Sequence, residues 1–217
     1  IHQVWSDIKD GLAFIGAHRR VRGALIQLVI LFSIFAALAV LVVRMAEILP
    51  EISASQFGFL LAAGGVGMVA GITLLNRIVH KVFYSKLSLY GFLGIGAALM
   101  GLAFMTHSLW PSLALLAVVG VCAALVGVPM QTTIQEQTPQ QLRGKVFGLQ
   151  NNMVNIALSL PLALAGVAET FFGLQWVMLS LASLVVTGGV LTWYISGTAP
   201  LQEDCSPPSS EPTSSDP

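Results

Sequence analysis

The chain has 217 residues, of which 55% are hydrophobic and only 9% charged, with a formal net charge of zero and a mean hydropathy of +0.82. A water-soluble domain of this length carries far more surface charge, so one soluble core is excluded. No basic excess argues for nucleic acid, and the few charges inform through their placement.

Residues 1–22 read as an amphipathic cytoplasmic lead. Val4, Trp5, Ile8, Leu12 and Ile15 recur at helical spacing, with Ser6, Asp7, Lys9 and Asp10 between them. That pattern predicts a helix lying on a membrane surface. His18, Arg19, Arg20 and Arg22 follow as a basic collar. The first residue is Ile1, and no basic-then-apolar secretory signal is visible. The expected reading is a start inside a longer polypeptide.

Residues 23–196 form the expected transmembrane domain, with apolar runs at about 23–43, 57–75, 87–105, 112–134, 146–168 and 174–195. Roughly 20 apolar residues cross a bilayer core of about 30 Å. The fold class is therefore all-α, a polytopic membrane protein with six transmembrane helices. Pro50 and Glu51 end the first span. Ala63, Gly67 and Gly71 make a small-residue stripe on the second, which lets another helix approach closely. Asn76 to Lys86 form a charged turn, Trp110 and Pro111 fall in a short interfacial turn, and Phe171 to Gly173 form a tight one. Trp193 and Tyr194 anchor the last span at the headgroups. Residues 197–217 are rich in Pro, Ser and acid and read as a disordered tail.

An even number of spans places both termini on one side. With that side cytoplasmic, Lys9, Arg19, Arg20, Arg22, Arg77, Lys81, Lys86, Arg143 and Lys145 all lie inside and only Arg44 outside. The positive-inside rule selects this orientation, with both termini cytoplasmic.

No span centre carries a charge, which would cost about 2.5–3.5 kcal/mol on the mildest scale. Amides are present instead. Asn152, Asn155 and Ser159 share one face of the fifth span, with Asn151 beside them; Gln131 and Gln135 share a face of the fourth. Gln27 and Ser33 are the polar residues of the first span. Pro129 and Pro161 remove backbone bonds next to these faces and can kink their helices. Polar faces beside two kinks fit a water-filled path with walls that bend; interhelical tie points are the plainer alternative. Arg44 and Glu47, three residues apart, are candidates for an ion pair gating the outer mouth.

Enzyme motifs are absent: there is no GxSxG, no phosphate loop, no HExxH and no carboxylate pair in a span. No catalytic residue, cofactor or metal site is expected. Cys122 and Cys205 sit at different depths, so no disulfide joins them.

From Val128 the sequence resembles the C-terminal half of major facilitator superfamily transporters, most closely the bacterial enterobactin-exporter and macrolide-efflux branch. The resemblance rests on Val128-Pro129, Gln131, Gln135-Glu136, Pro139, Leu142-Arg143-Gly144-Lys145-Val146-Phe147-Gly148, Pro161-Leu162 and Ala165-Gly166. Trp5 to Arg22 is similar to that family's central cytoplasmic loop. The turn holding Arg77, Lys81 and Lys86 departs from the family pattern, because it lacks the Asp and the Gly of the loop signature.

The resemblance implies one half of a twelve-helix fold, with the first, second, fourth and fifth spans facing a cavity and Arg77, Arg143 and Gly144 as gating or loop residues. It implies a secondary active efflux permease for a small amphipathic compound, working by alternating access in the cell membrane. Its partners would be the lipid bilayer, the substrate and a coupling ion such as the proton, bound through the missing N-terminal half. The rival readings are a half-sized transporter acting as a dimer and a non-transporting membrane scaffold.

Overall fold

The structure, a computed structural model, describes residues 2–48, 58–78, 84–105 and 109–197. They form seven helices: α1 (His2–Ala17), α2 (Arg19–Ile48), α3 (Gly58–Ile78), α4 (Tyr84–Phe104), α5 (Leu109–Gln137), α6 (Arg143–Phe172) and α7 (Leu174–Gly197). The last six are long and apolar enough to cross a membrane.

Several of the helices outrun their apolar stretches. The hydrophobic run marks only the part of a helix in hydrocarbon, while backbone pairing continues among solvated residues at each end. Arg19, Arg20 and Arg22 thus belong to α2, and Trp110 and Pro111 lie in the first turn of α5 instead of in the expected turn. Proline is harmless there because first-turn N–H groups have no intrahelical partner. Both interior prolines, Pro129 and Pro161, sit within unbroken helices. The tight turn before α7 shrinks to Gly173, whose φ of 79° is open to glycine and whose N–H donates to the Glu169 carbonyl at 2.9 Å. The 197–217 tail, apart from the backbone of Gly197, lies outside the described residues, as do Pro50, Glu51 and Lys81.

Lipid tails are as apolar as leucine, so helices in a membrane associate by close packing and polar ties. Both devices are present. α3 is held chiefly to α5, α4 to α7 and α5, and α2 to α6 and α5. On α3, a Cβ at Gly67 would collide with the Ala117 carbonyl, and one at Gly71 would sit 2.7 Å from the Val121 carbonyl. From the α5 side, a Cβ at Gly120 would strike the Gly64 carbonyl. These backbones touch, and only glycine permits it. Elsewhere Leu31, Ile34, Leu41, Phe92, Ile95, Leu99, Ile134 and Met178 fill a continuous buried core.

α1 docks on the bundle. Gly11 lies buried 3.5 Å from the Lys145 carbonyl position through its would-be Cβ, and Ile15 is buried beside it. Phe14 stacks on His18 at 4.0 Å between centroids, and His18 Nδ1 lies 2.9 Å from the Phe14 carbonyl oxygen. Leu12 is 49% exposed. The side chains of Val4, Trp5 and Ile8 lie outside the described residues.

Candidate functional site

Consecutive spans reverse direction. The α1–α2 junction, the α3–α4 turn and the α5–α6 turn therefore share one end of the bundle. The α2–α3, α4–α5 and α6–α7 junctions share the other.

α6 is the least enclosed span, with 11% of its apolar window buried. At about 100° per residue, its surface divides into three arcs. Val154, Ala157, Leu158 and Ala165 face the bundle, buried or half-buried. Ile156, Leu160, Leu164 and Val167 form an exposed apolar arc. Asn151, Asn152, Asn155 and Ser159 occupy a third arc of roughly 100°, and all four are exposed. Ser159 donates back to the Asn155 carbonyl at 2.8 Å. The structure therefore gathers these four residues on one open strip. Such a strip cannot face lipid tails cheaply, because burying an unpaired amide in hydrocarbon costs several kcal/mol.

The other amides behave differently. Gln27 is 6% exposed and accepts a 2.6 Å bond from the Ser88 hydroxyl of α4. It is expected on the path, yet it is set apart from the strip, as a tie between α2 and α4. Ser33 is half-buried and donates to the Val29 carbonyl of its own helix at 2.9 Å. Gln131 of α5 accepts a 2.9 Å bond from Gln150 Nε2 of α6. Gln135 is exposed one turn further toward the α5–α6 turn.

Sequence reasoning passes over Gln150 and Ser88. Gln150 adjoins the asparagines in sequence, but points about 100° away from Asn151, into the bundle. Ser88 is a lone hydroxyl in an apolar run and carries no sequence signal; only packing pairs it with Gln27.

The loop motif has a clear mechanical reason. α5 ends at Gln137, leaving its last carbonyls without helical donors. Thr138 Oγ donates to the Ile134 carbonyl at 2.6 Å, and Arg143 reaches the carbonyls of Thr138 (3.3 Å) and Gln135 (3.4 Å). A cation there also complements the helix macrodipole. Gly144 faces open space. Arg77 is exposed near the end of α3.

At the opposite end, Arg44 Nε of α2 lies 3.1 Å from a carboxylate oxygen of Glu169 on α6. The expected partner Glu47 has a backbone in α2, but its side chain lies outside the described residues. The same Glu169 oxygen accepts no aligned hydrogen bond, so the contact is an ion pair by proximity. Among the described residues no group of His, Cys, Asp or Glu could hold a metal ion.

The comparisons with known proteins agree with this architecture. An uncharacterized MFS-type transporter of Bacillus subtilis (strain 168), YfiS, is 28% identical over 197 residues, which cover 86% of this chain and 46% of YfiS. The chain thus spans about half the length of that relative. The fold is similar to the in meso crystal structure of the POT family transporter PepTSo, with a TM-score of 0.66 at 13% identity, over 82% of this chain and 37% of that one. The profile of the Major Facilitator Superfamily matches residues 23–216, so the chain, a multi-pass membrane protein, belongs to that superfamily.

Proposed function

We propose that the chain is the C-terminal six-helix half of a secondary active transporter that exports a small amphipathic compound by alternating access. The observation that carries this reading is the open amide strip of Asn151, Asn152, Asn155 and Ser159 on α6. In a superfamily member an exposed polar arc at membrane depth needs water or another protein face, and a path between two rocking halves supplies both. Met153, Ile156 and Leu160 next to it offer the apolar contact an amphipathic compound needs.

The direction of transport rests on the resemblance of the LRGKVFG stretch to the exporter branch. The orientation rests on charge. Lys9, Arg19, Arg20, Arg22, Arg77, Arg143 and Lys145 cluster at one end of the bundle, and Arg44 stands at the other, so the first end and both termini are cytoplasmic. A coupling ion would bind through the other half, since the described spans carry no charge at mid-depth. The reading is a transporter and not an enzyme.

Reconstitution of the full-length protein, with both halves, into proteoliposomes with amphipathic dyes such as ethidium and Hoechst 33342 tests it. Asn155→Leu should slow dye movement about tenfold, the rate equivalent of one lost hydrogen-bonding contact of about 1.4 kcal/mol. Unchanged transport in the Asn152→Leu/Asn155→Leu double variant would contradict the assignment. A native mass in source membranes near 23.0 kDa would favour a self-pairing half over a longer chain.

A further inference from the structure

We propose that the cytoplasmic end of the α5–α6 seam is a binding site for a protonated amine carrying an apolar body, an entry station for the compound transported. The assignment rests on the transport reading above and deepens it by naming a substrate class.

Three features converge there. The first is a cleft of about 340 Å³ lined by Gln135, Glu136, Arg143 and Phe147. The second is Glu136. Its carboxylate is exposed and has no partner among the described residues. It sits one residue from the end of α5, where the helix dipole disfavours negative charge, so a cation is the missing complement. Arg143 does not fill that role, because its guanidinium is turned onto the carbonyls of Gln135 and Thr138 at 3.4 and 3.3 Å.

The third feature is an acceptor deeper in the seam. Gln131 lies one turn inward of Gln135 on α5, and Gln150 lies three residues inward of Phe147 on α6. Gln150 is 9% exposed, and its Nε2 is used on Gln131 at 2.9 Å, yet its Oε1 is buried without any donor. Buried carbonyl oxygens are rarely left so. An N–H entering the seam would satisfy it.

A carboxylate and an aromatic ring in the cleft lining and an orphaned acceptor further along the seam share one preference. They favour a cation that donates hydrogen bonds, with cation–π attraction to Phe147. They disfavour neutral compounds that only accept.

The test uses the purified chain in lipid nanodiscs and three probes of one shape: phenethylamine, phenethyl alcohol and benzyltrimethylammonium. Binding is read by saturation-transfer NMR, and folding by circular dichroism. Phenethylamine should bind at least about tenfold more tightly than the alcohol, and Glu136→Gln should abolish that preference. Gln150→Leu should weaken phenethylamine about threefold and leave benzyltrimethylammonium, which has no N–H, unchanged. Should Gln150→Leu not fold, Phe147→Leu serves in its place, and it should weaken both cations about threefold. Equal binding of amine and alcohol, or an amine preference that survives Glu136→Gln, overturns the site. The transport reading fails separately: amine binding with these variant effects, but no dye movement in proteoliposomes, would remove the transporter and leave the amine site. Dye transport without phenethylamine binding would do the reverse.

Discussion

α3 and α6 are the two spans that the bundle encloses least, with 22% and 11% of their apolar windows buried. Their open surfaces are nevertheless opposite in kind. The exposed side chains of α3 include Phe59, Leu61, Val66, Met68, Val69, Ile72 and Leu74, and its Thr73 hydroxyl is returned to its own Ala70 carbonyl at 2.7 Å. Apart from Asn76 and Arg77 in its last turn, nothing there needs water. α6 exposes as much hydrocarbon on one arc and four polar side chains on another. Low burial by itself therefore does not distinguish the two faces; the chemistry of what is left open does. The two helices are also attached differently. α3 is held by backbone contact through glycines, whereas α6, packed chiefly on α2, adds polar ties, Gln131–Gln150 to α5 and Arg44–Glu169 to α2.

That contrast can be broken at its strongest point first. Gly120→Leu or Gly67→Leu places a side chain where the partner backbone already stands. Overpacking of this kind costs 3 kcal/mol or more, roughly the upper end for a core insertion. The expected result is loss of monodisperse protein on size exclusion in detergent. Normal yield would mean that α3 is free to move away from α5.

Next comes the buried tie within the core. Ser88→Ala leaves the Gln27 oxygen without its donor, and the expected loss is about 1–3 kcal/mol. Thermal unfolding in detergent should show it, and Gln27→Leu/Ser88→Ala should recover most of it. If Ser88→Ala proves as stable as wild type, Gln27 has water in reach and belongs to the path after all.

The amide strip separates stability from function. Asn152→Leu/Asn155→Leu should change unfolding by no more than about 0.5 kcal/mol, as for most exposed sites, while transport falls about tenfold or more. A large loss of stability with transport intact would make the asparagines interhelical glue. The smallest effect belongs to Arg44–Glu169. Arg44 is 43% exposed at its side chain, so Arg44→Gln should cost less than about 1 kcal/mol. A larger loss would mark the Glu169 end of α6 as tightly clasped.

The all-α, six-span architecture was legible because hydrocarbon demands long apolar helices, and the chain writes them plainly in its composition. The grouping of Asn151, Asn152, Asn155 and Ser159 was legible too, since all four lie on one helix and a 3.6-residue period suffices to align them. What lay beyond the sequence involves two helices at once. The Gln27–Ser88 bond joins residues 61 positions apart, and Arg44 of α2 meets Glu169 of α6. Periodicity places a residue on a face, but only packing decides which helix that face meets. The same limit hid Gln150, whose sequence neighbours face outward while it faces in.

The most direct test of the central claim is water access to the α6 strip. Asn155→Cys and Val69→Cys, each in a Cys122→Ala/Cys205→Ala background, would be treated in membranes with a charged, water-soluble maleimide. Both positions are exposed in the bundle. The cysteine on α6 should react within minutes and that on α3 should stay unreacted, because one faces an aqueous path and the other hydrocarbon. Protection at Asn155 equal to that at Val69 would contradict the account and make the amide strip a surface for helix contact.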